Sequence, residues 1–396
     1  MKNTPPADKI KVNPARERNL HLKRILIVFG TRPEAIKLCP LVRQLRLSPD
    51  AYTVKVCVTA QHREMLDHAL EAFSIHPDYD LDLMRPRQTL AALTARILAA
   101  LDPVLEAERP DLVVVQGDTT TTLAGALTAF YREIPVAHVE AGLRTGDMTQ
   151  PFPEEMNRVL TSRLAAWHFA PTERAAEALL REGTEREKII VTGNTGIDAV
   201  LYVRDALDSG ALPAPDWPWL EPGKSLVLVT SHRRESFGPG FASAMRALAR
   251  LASRGDLQVV YPVHRNPHVA GPAHALLAGL PHVTLLDPLP YVPFVDLMRR
   301  SKLIITDSGG IQEEAPSLGK PVLVLRAKTE RPEAVEAGAV KLVGSGEDRI
   351  VAEAARLLDD PAEYARMTRI HNPYGDGHTC ERIAQILAQQ PAVDRA

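Results

Sequence analysis

Short runs of consecutive apolar residues alternate along the chain with longer stretches whose apolar positions recur every three or four residues. The runs predict strands over 24–29, 53–59, 112–116, 136–139, 167–169 and 188–192, then a second series over 225–230, 258–262, 283–286, 303–306, 322–325 and 340–343. The periodic stretches predict helices, among them 34–45, 63–73, 89–106 and 241–252. Continuously apolar strands separated by helices imply parallel sheets covered on both faces. Between the two series, ALPAPDWPWLEPGK (211–224) is proline-rich without helical periodicity and reads as a linker, with a boundary near 193–196 as the alternative. At 396 residues two domains are expected. The predicted fold class is therefore α/β, two doubly wound domains flanking a cleft, with ligands bound beyond the carboxyl ends of the strands.

Composition narrows the function classes. Hydrophobic residues at 45% and charged residues at 24% suit a globular protein. Lys+Arg 47 against Asp+Glu 49 gives no basic field, so nucleic acid is not expected as a partner. No apolar run approaches membrane-spanning length, so no membrane partner is expected. Residues 1–22 (MKNTPPADKIKVNPARERNLHL) lack the apolar middle of a secretion signal and read as a flexible tail. Cys39, Cys57 and Cys380 form an odd set without metal-like spacing, which fits a reducing cytoplasm.

The chemistry-bearing residues fall at the predicted strand ends. In LIITDSGGIQEEAPSLGKPVLVLR (303–326) a buried strand ends at Asp307 and Ser308, Gly309 and Gly310 make a tight turn. A helix is expected to open at about Ile311, with Glu313 and Glu314 in its first turn. Unpaired backbone N–H groups at such a turn suit phosphate, although a capped turn without ligand has the same signature. After the first strand come Gly30, Arg32, Pro33 and Lys37; the two cations would grip a diphosphate. No G-x-G-x-x-G follows any strand, so no dinucleotide cofactor is expected. Asp118 follows the strand 112–116 as either a helix cap or a site carboxylate. Glu140 follows 136–139 as either an acid/base group or the partner of Arg144. Glu154 and Glu155 begin a helix that also carries Asn157 and Arg158. The second series contributes Ser231-His232-Arg233-Arg234-Glu235 and His264-Arg265-Asn266. No spacing of the H-x-x-x-H kind appears, so no metal is expected.

Nine blocks in matching order, from about residue 24 to 385, carry a family resemblance. FGTRPEAIK (29–37), VTAQHREML (58–66), GDTTTTLAG (117–125), HVEAGLRTGD (138–147), PFPEEMNR (151–158), SHRRESFG (231–238), TDSGGIQEEAPSLGKPVL (306–323), TERPEAV (329–335) and NPYGDG (372–377) resemble the non-hydrolysing UDP-N-acetylglucosamine 2-epimerases. The resemblance implies a GT-B architecture with an N-terminal Rossmann-like domain (23–194) and a C-terminal, UDP-binding one (195–376), the last helix (377–390) crossing back to the first. It implies that Ser308, Gly309 and Gly310 hold the diphosphate, Glu314 the ribose and Phe294, in a loop, the uracil. Arg32, Lys37 and Arg158 would complete the substrate site, with Asp118, Glu140, Glu154 and His232 as the catalytic set. Gln61, Glu64, Arg87, Arg233 and His264 resemble a second, regulatory UDP-GlcNAc site. The implied partners are UDP-GlcNAc and UDP-ManNAc in a homodimer supplying bacterial surface polysaccharide. A hydrolysing epimerase, a GT-B glycosyltransferase and a non-catalytic nucleotide-sugar sensor are the competing readings.

Overall fold

The computed structural model describes residues 22–60, 63–85, 87–232 and 238–389. Two wholly parallel sheets organise it. The first orders its strands β3-β2-β1-β4-β5-β6-β7, where β1 is Lys23–Phe29, β2 Tyr52–Val58, β3 Tyr79–Asp80, β4 Leu112–Gln116, β5 Val136–Val139, β6 Trp167–Ala170 and β7 Ile189–Val191. The second runs β10-β9-β8-β11-β12-β13, where β8 is Ser225–Thr230, β9 Leu257–Pro262, β10 Val283–Leu286, β11 Leu303–Thr306, β12 Val322–Val324 and β13 Val340–Leu342. The expected strands are all present; β3, too short to leave an alternating pattern, is the addition.

The central strands explain why the chain folds this way. Every residue of β4 (LVVVQ) is buried, as are six of the seven in β1 (KRILIVF). Strands covered on both faces need apolar residues on both, hence the unbroken runs. Connections wind outward in opposite directions from β1 and β4, and again from β8 and β11, which creates a switch point in each sheet. Register places Ile27 beside Val114 and Thr306 beside Thr230, so the ends of each central pair release their loops side by side.

One contiguous apolar core joins the two sheets. It includes Ile27 of the first, Leu38 of the helix Arg32–Arg46, Ile304 and Val324 of the second, and Ile197, Val200 and Val203 from the helix Thr195–Asp208 between them. The chain passes over at residues 192–194 and back at 372–377, and the Asn194 N–H donates to the Tyr374 carbonyl at 2.7 Å. The final helix, Thr379–Gln389, buries Ile383 and Leu387, and the Tyr52 hydroxyl of β2 donates to its Ala384 carbonyl. Segment 211–224 is not a free linker: Trp217 Nε1 donates to the buried Asp296 (2.6 Å) and Gln258 Nε2 to the Trp219 carbonyl (2.8 Å). Its tryptophans bury too much apolar surface to leave it in solvent.

Candidate active site

The end of β1 is built around a buried carboxylate. A Cβ on Gly30 would stand 1.9 Å from Thr59 Oγ1, so only glycine lets the two loops approach. Thr31 caps the helix Arg32–Arg46 in a reciprocal capping box with Glu34. Glu34 accepts from the N–H groups of Gly30 (3.1 Å) and Thr31 (2.8 Å) and from the hydroxyls of Thr31 (2.7 Å), Thr119 (2.8 Å) and Thr122 (3.2 Å). Burial raises its pKa and these donors oppose the rise. Glu34 thus ties the helix start bearing Arg32 to the loop bearing Asp118.

Asp118 is not the helix cap. Thr119 takes that place, accepting from the Thr122 N–H at 3.1 Å, and leaves the Asp118 carboxylate 31% exposed to the cleft. Arg158 Nη2 lies 3.4 Å away, and Asn157 Nδ2 donates to the Asp118 carbonyl at 2.9 Å. Crowding by protein lifts the Asp118 carboxyl to about 6, with Arg158 opposing and the charges of Glu140 and Glu154 adding to the rise. Beneath it the buried His138 ring donates from Nε2 to the Gly117 carbonyl at 2.7 Å, and burial depresses it to about 3, so it stays neutral.

Glu140 does not pair with Arg144, which reaches Glu182 at 2.7 Å instead. Its backbone is left-handed (φ 59°), a conformation costing a non-glycine residue on the order of 1 kcal/mol or more. That twist turns the carboxylate inward, where it accepts from Lys37 Nζ at 2.5 Å and from the Gln116 amide. Glu154 and Glu155 open the helix Glu154–Leu164, as expected. Glu155 is the structural one of the pair: it is buried, accepts from the Thr145 and Gly146 N–H groups and pairs with Arg158 at 3.2 Å. Glu154 stays half-buried.

In the second sheet, Asp307 follows β11 fully buried. Its Oδ2 accepts from the Ser231 hydroxyl (2.9 Å) and the His232 N–H (2.8 Å), while Oδ1 lies 3.4 Å from His232 Nδ1. The helix begins at Gly309, not Ile311, with Ser308 at its cap, so Glu313 and Glu314 lie beyond the first turn. A Cβ on Gly309 would meet the Arg331 guanidinium at 3.3 Å, so that arginine lies directly over the turn. Phe294 sits in the first turns of the helix Tyr291–Arg300 and not in a loop, because the earliest helical N–H groups need no partner and Pro293 is tolerated there.

The two halves meet at Lys37. Its Nζ is 2.5 Å from Glu140 and 3.8 Å from Glu313, which also accepts from Arg331 Nε (2.7 Å) and Asn194 Nδ2 (2.9 Å). Burial alone would lower the Lys37 pKa, but the two carboxylates more than compensate and raise it. Burial, reinforced by the Glu313 charge, pushes the Glu314 carboxyl up to about 8. Arg32, depressed by burial, faces Glu314 and Tyr291 from the other sheet.

Of the regulatory candidates, Gln61, Arg233 and the Glu64 side chain lie outside the described residues. Arg87 is exposed in a left-handed conformation (φ 54°), and the His264 ring stacks on His232 with centroids 5.6 Å apart. Sequence reading assigned no role to Arg331, Asn194, Gln116 or Asp307; the TERPEAV block held the one usable signal, an arginine before a helix-opening proline. Among the described residues no group of three or more His, Cys, Asp or Glu could hold a metal ion, and no helix is long and apolar enough to cross a membrane.

Comparison with known proteins gives this arrangement its context. The profile of the UDP-N-acetylglucosamine 2-epimerase family matches residues 45–388. The UDP-N-acetylglucosamine 2-epimerase of Escherichia coli K12 is 57% identical over 369 residues, covering 92% of this chain and 98% of the relative. The crystal structure of UDP-GlcNAc 2-epimerase from Neisseria meningitidis bound to UDP-GlcNAc superposes with a TM-score of 0.86 at 48% identity, covering 93% of this chain and all of that one. That of the Methanocaldococcus jannaschii enzyme in complex with UDP-GlcNAc and UDP gives 0.74 at 34% identity, again covering 93% and 100%. Profile, identity and fold agree over nearly the whole length, and the chain belongs to the UDP-N-acetylglucosamine 2-epimerase family.

Proposed function

We propose that the chain interconverts UDP-GlcNAc and UDP-ManNAc by eliminating UDP and adding it back, without releasing the sugar. Direct removal of the C2 proton is difficult because no carbonyl adjoins C2. As the bond between C1 and the β-phosphate oxygen lengthens, positive charge developing at C1 acidifies the neighbouring C2–H. The C2 proton passes to a carboxylate, its electron pair forms the C1=C2 bond of 2-acetamidoglucal, and the C1–O pair departs with UDP. Return of the phosphate oxygen to C1, with a proton delivered to the opposite face of C2, completes inversion.

The observation that carries this reading is Lys37 touching Glu140 of one sheet and approaching Glu313 of the other. It supports a cleft with cations for a departing diphosphate beside carboxylates for the proton. Arg32, Lys37, His232 and the Ser308–Gly310 turn would stabilise the charge growing on UDP, and Glu314 and Phe294 would hold the nucleoside. Two of Asp118, Glu140 and Glu154 would handle the proton on opposite faces, with Arg158 biasing Asp118 toward its charged form. Apposition of the two sheets would exclude water from the glucal.

Turnover in D2O tests the chemistry: deuterium should appear at C2 of the product, whereas unlabelled product would point to hydride transfer. Chromatography after incubation with UDP-GlcNAc alone should show UDP-ManNAc; free ManNAc with UDP would establish the hydrolysing reading. Dependence on an acceptor would establish the glycosyltransferase. Wild-type turnover in Asp118→Ala, Glu140→Ala and Glu154→Ala would remove all three from the chemistry.

A further inference from the structure

Glu313 has no part in the proposed chemistry, yet it is 3% exposed and contacts groups from three other parts of the chain. Its Oε1 accepts from Arg331, ahead of the helix Pro332–Ala337. Its Oε2 accepts from Asn194, the cap of the helix Thr195–Asp208, and lies 3.8 Å from Lys37 of the helix Arg32–Arg46. The two cations are themselves well covered, with side chains 14% and 16% exposed. They are close enough for the Arg331 charge to depress Lys37. A carboxylate buried this deeply is retained only with paired charge and saturated hydrogen bonds.

We infer that Glu313 is a positioning residue, setting Lys37 and Arg331 in fixed places on either side of the candidate diphosphate site; the inference rests on the epimerase reading for the identity of the ligand. Three contacts make the assignment specific. Arg331 lies over Gly309 of the candidate phosphate turn, and its Nε is fixed by Glu313. Lys37 has Glu140 as its other carboxylate, so Glu313 decides how far that ammonium leans toward the second sheet. Asn194 anchors the carboxylate to the chain crossing through its own backbone bond to Tyr374. Without the Glu313 charge, two neighbouring cations would repel across the seam.

A double-mutant cycle on the full chain tests this, with UDP affinity read by isothermal titration calorimetry and turnover by UDP-ManNAc formation. Glu313→Gln should weaken UDP binding at least fivefold. In Lys37→Met or Arg331→Met backgrounds the same change should cost less than twofold, because it acts through those cations. Glu313→Asp, a poorer match in shape but a better one in charge, should bind UDP more tightly than Glu313→Gln and recover more of kcat. UDP binding within twofold of wild type in Glu313→Gln, equal losses in all backgrounds, or Gln outperforming Asp would each overturn the assignment. Should circular dichroism show Glu313→Gln unfolded, the cycle is run with Glu313→Asp, expecting a threefold loss that vanishes in Lys37→Met; a loss that persists there overturns it. If the wild type binds UDP without epimerising the sugar, the functional reading fails while the cycle still decides the role of Glu313. No UDP binding by the wild type would sink both.

Discussion

Arg158 Nη2 stands 3.4 Å from Asp118 Oδ2, and it is the stronger of two cations, with Lys37, that keep a crowded carboxyl from rising further. With Asp118 at about 6, the charged form is lost as pH falls through that value. If Asp118 serves as the base, kcat/KM should decline below pH 6. Arg158→Met removes the opposing charge, so the acid limb should move upward by about one pH unit or more. A pH–rate profile with an unmoved acid limb would assign that limb to another group.

Glu34 should matter to stability before it matters to catalysis. Glu34→Ala strands donors from Gly30, Thr31 and Thr119, whereas the Thr122 hydroxyl keeps the Gln116 carbonyl at 2.6 Å. Unmade buried hydrogen bonds of this number should cost about 3 kcal/mol or more in urea unfolding. Glu34→Gln, which keeps the shape and one acceptor, should lose less.

Two glycine substitutions should separate folding from binding. In Gly30→Ala the new Cβ meets a threonine hydroxyl at 1.9 Å and Thr121 Oγ1 at 2.6 Å, so about 1–3 kcal/mol of overpacking is expected in thermal or urea unfolding. In Gly309→Ala the Cβ meets the Arg331 guanidinium at 3.3 Å, a contact that a shift of a few tenths of an ångström relieves. Stability should then hardly change while UDP affinity falls severalfold by calorimetry.

Glu314 should release a proton when UDP binds. Near 8 in the free protein, it is mostly neutral at pH 7, with Arg32 and Lys37 of the first sheet, Tyr291 of the facing helix and Glu313 beside it. Ribose hydroxyls donating to it would favour the charged form and lower its pKa. Binding enthalpy at pH 7 should therefore vary with the ionisation enthalpy of the buffer, and Glu314→Gln should flatten that dependence.

These expectations draw unequally on the sequence. The strand ends β1, β4, β8 and β11 were legible because strands buried on both faces must be continuously apolar, and polar residues after them stand out. Tyr79–Asp80 was not, since two residues carry no period. The early start of the helix at Gly309 was hidden because two consecutive glycines, poor helix formers, read as a turn. Choice of partner was least legible. Glu140 lies four positions from Arg144 but binds Lys37, 103 positions away, because its left-handed backbone turns it inward. Arg331 meets Glu313 because β11 and β12 are neighbours in one sheet, and Asn194 meets it only through the arrangement of the two sheets; no local pattern encodes either.

The two chain crossings, at residues 192–194 and 372–377, lie side by side and are stitched by the bond from Asn194 to Tyr374. The seam there is fastened twice, because Arg382 Nη1 of the last helix also donates to the Thr192 carbonyl at 3.0 Å. Sliding or separating the halves there would break both bonds and open the apolar core that joins the sheets. Glu313 is tied to this seam through the Asn194 side chain at 2.9 Å. Opening to admit a sugar nucleotide can then leave the charges at the root of the cleft undisturbed.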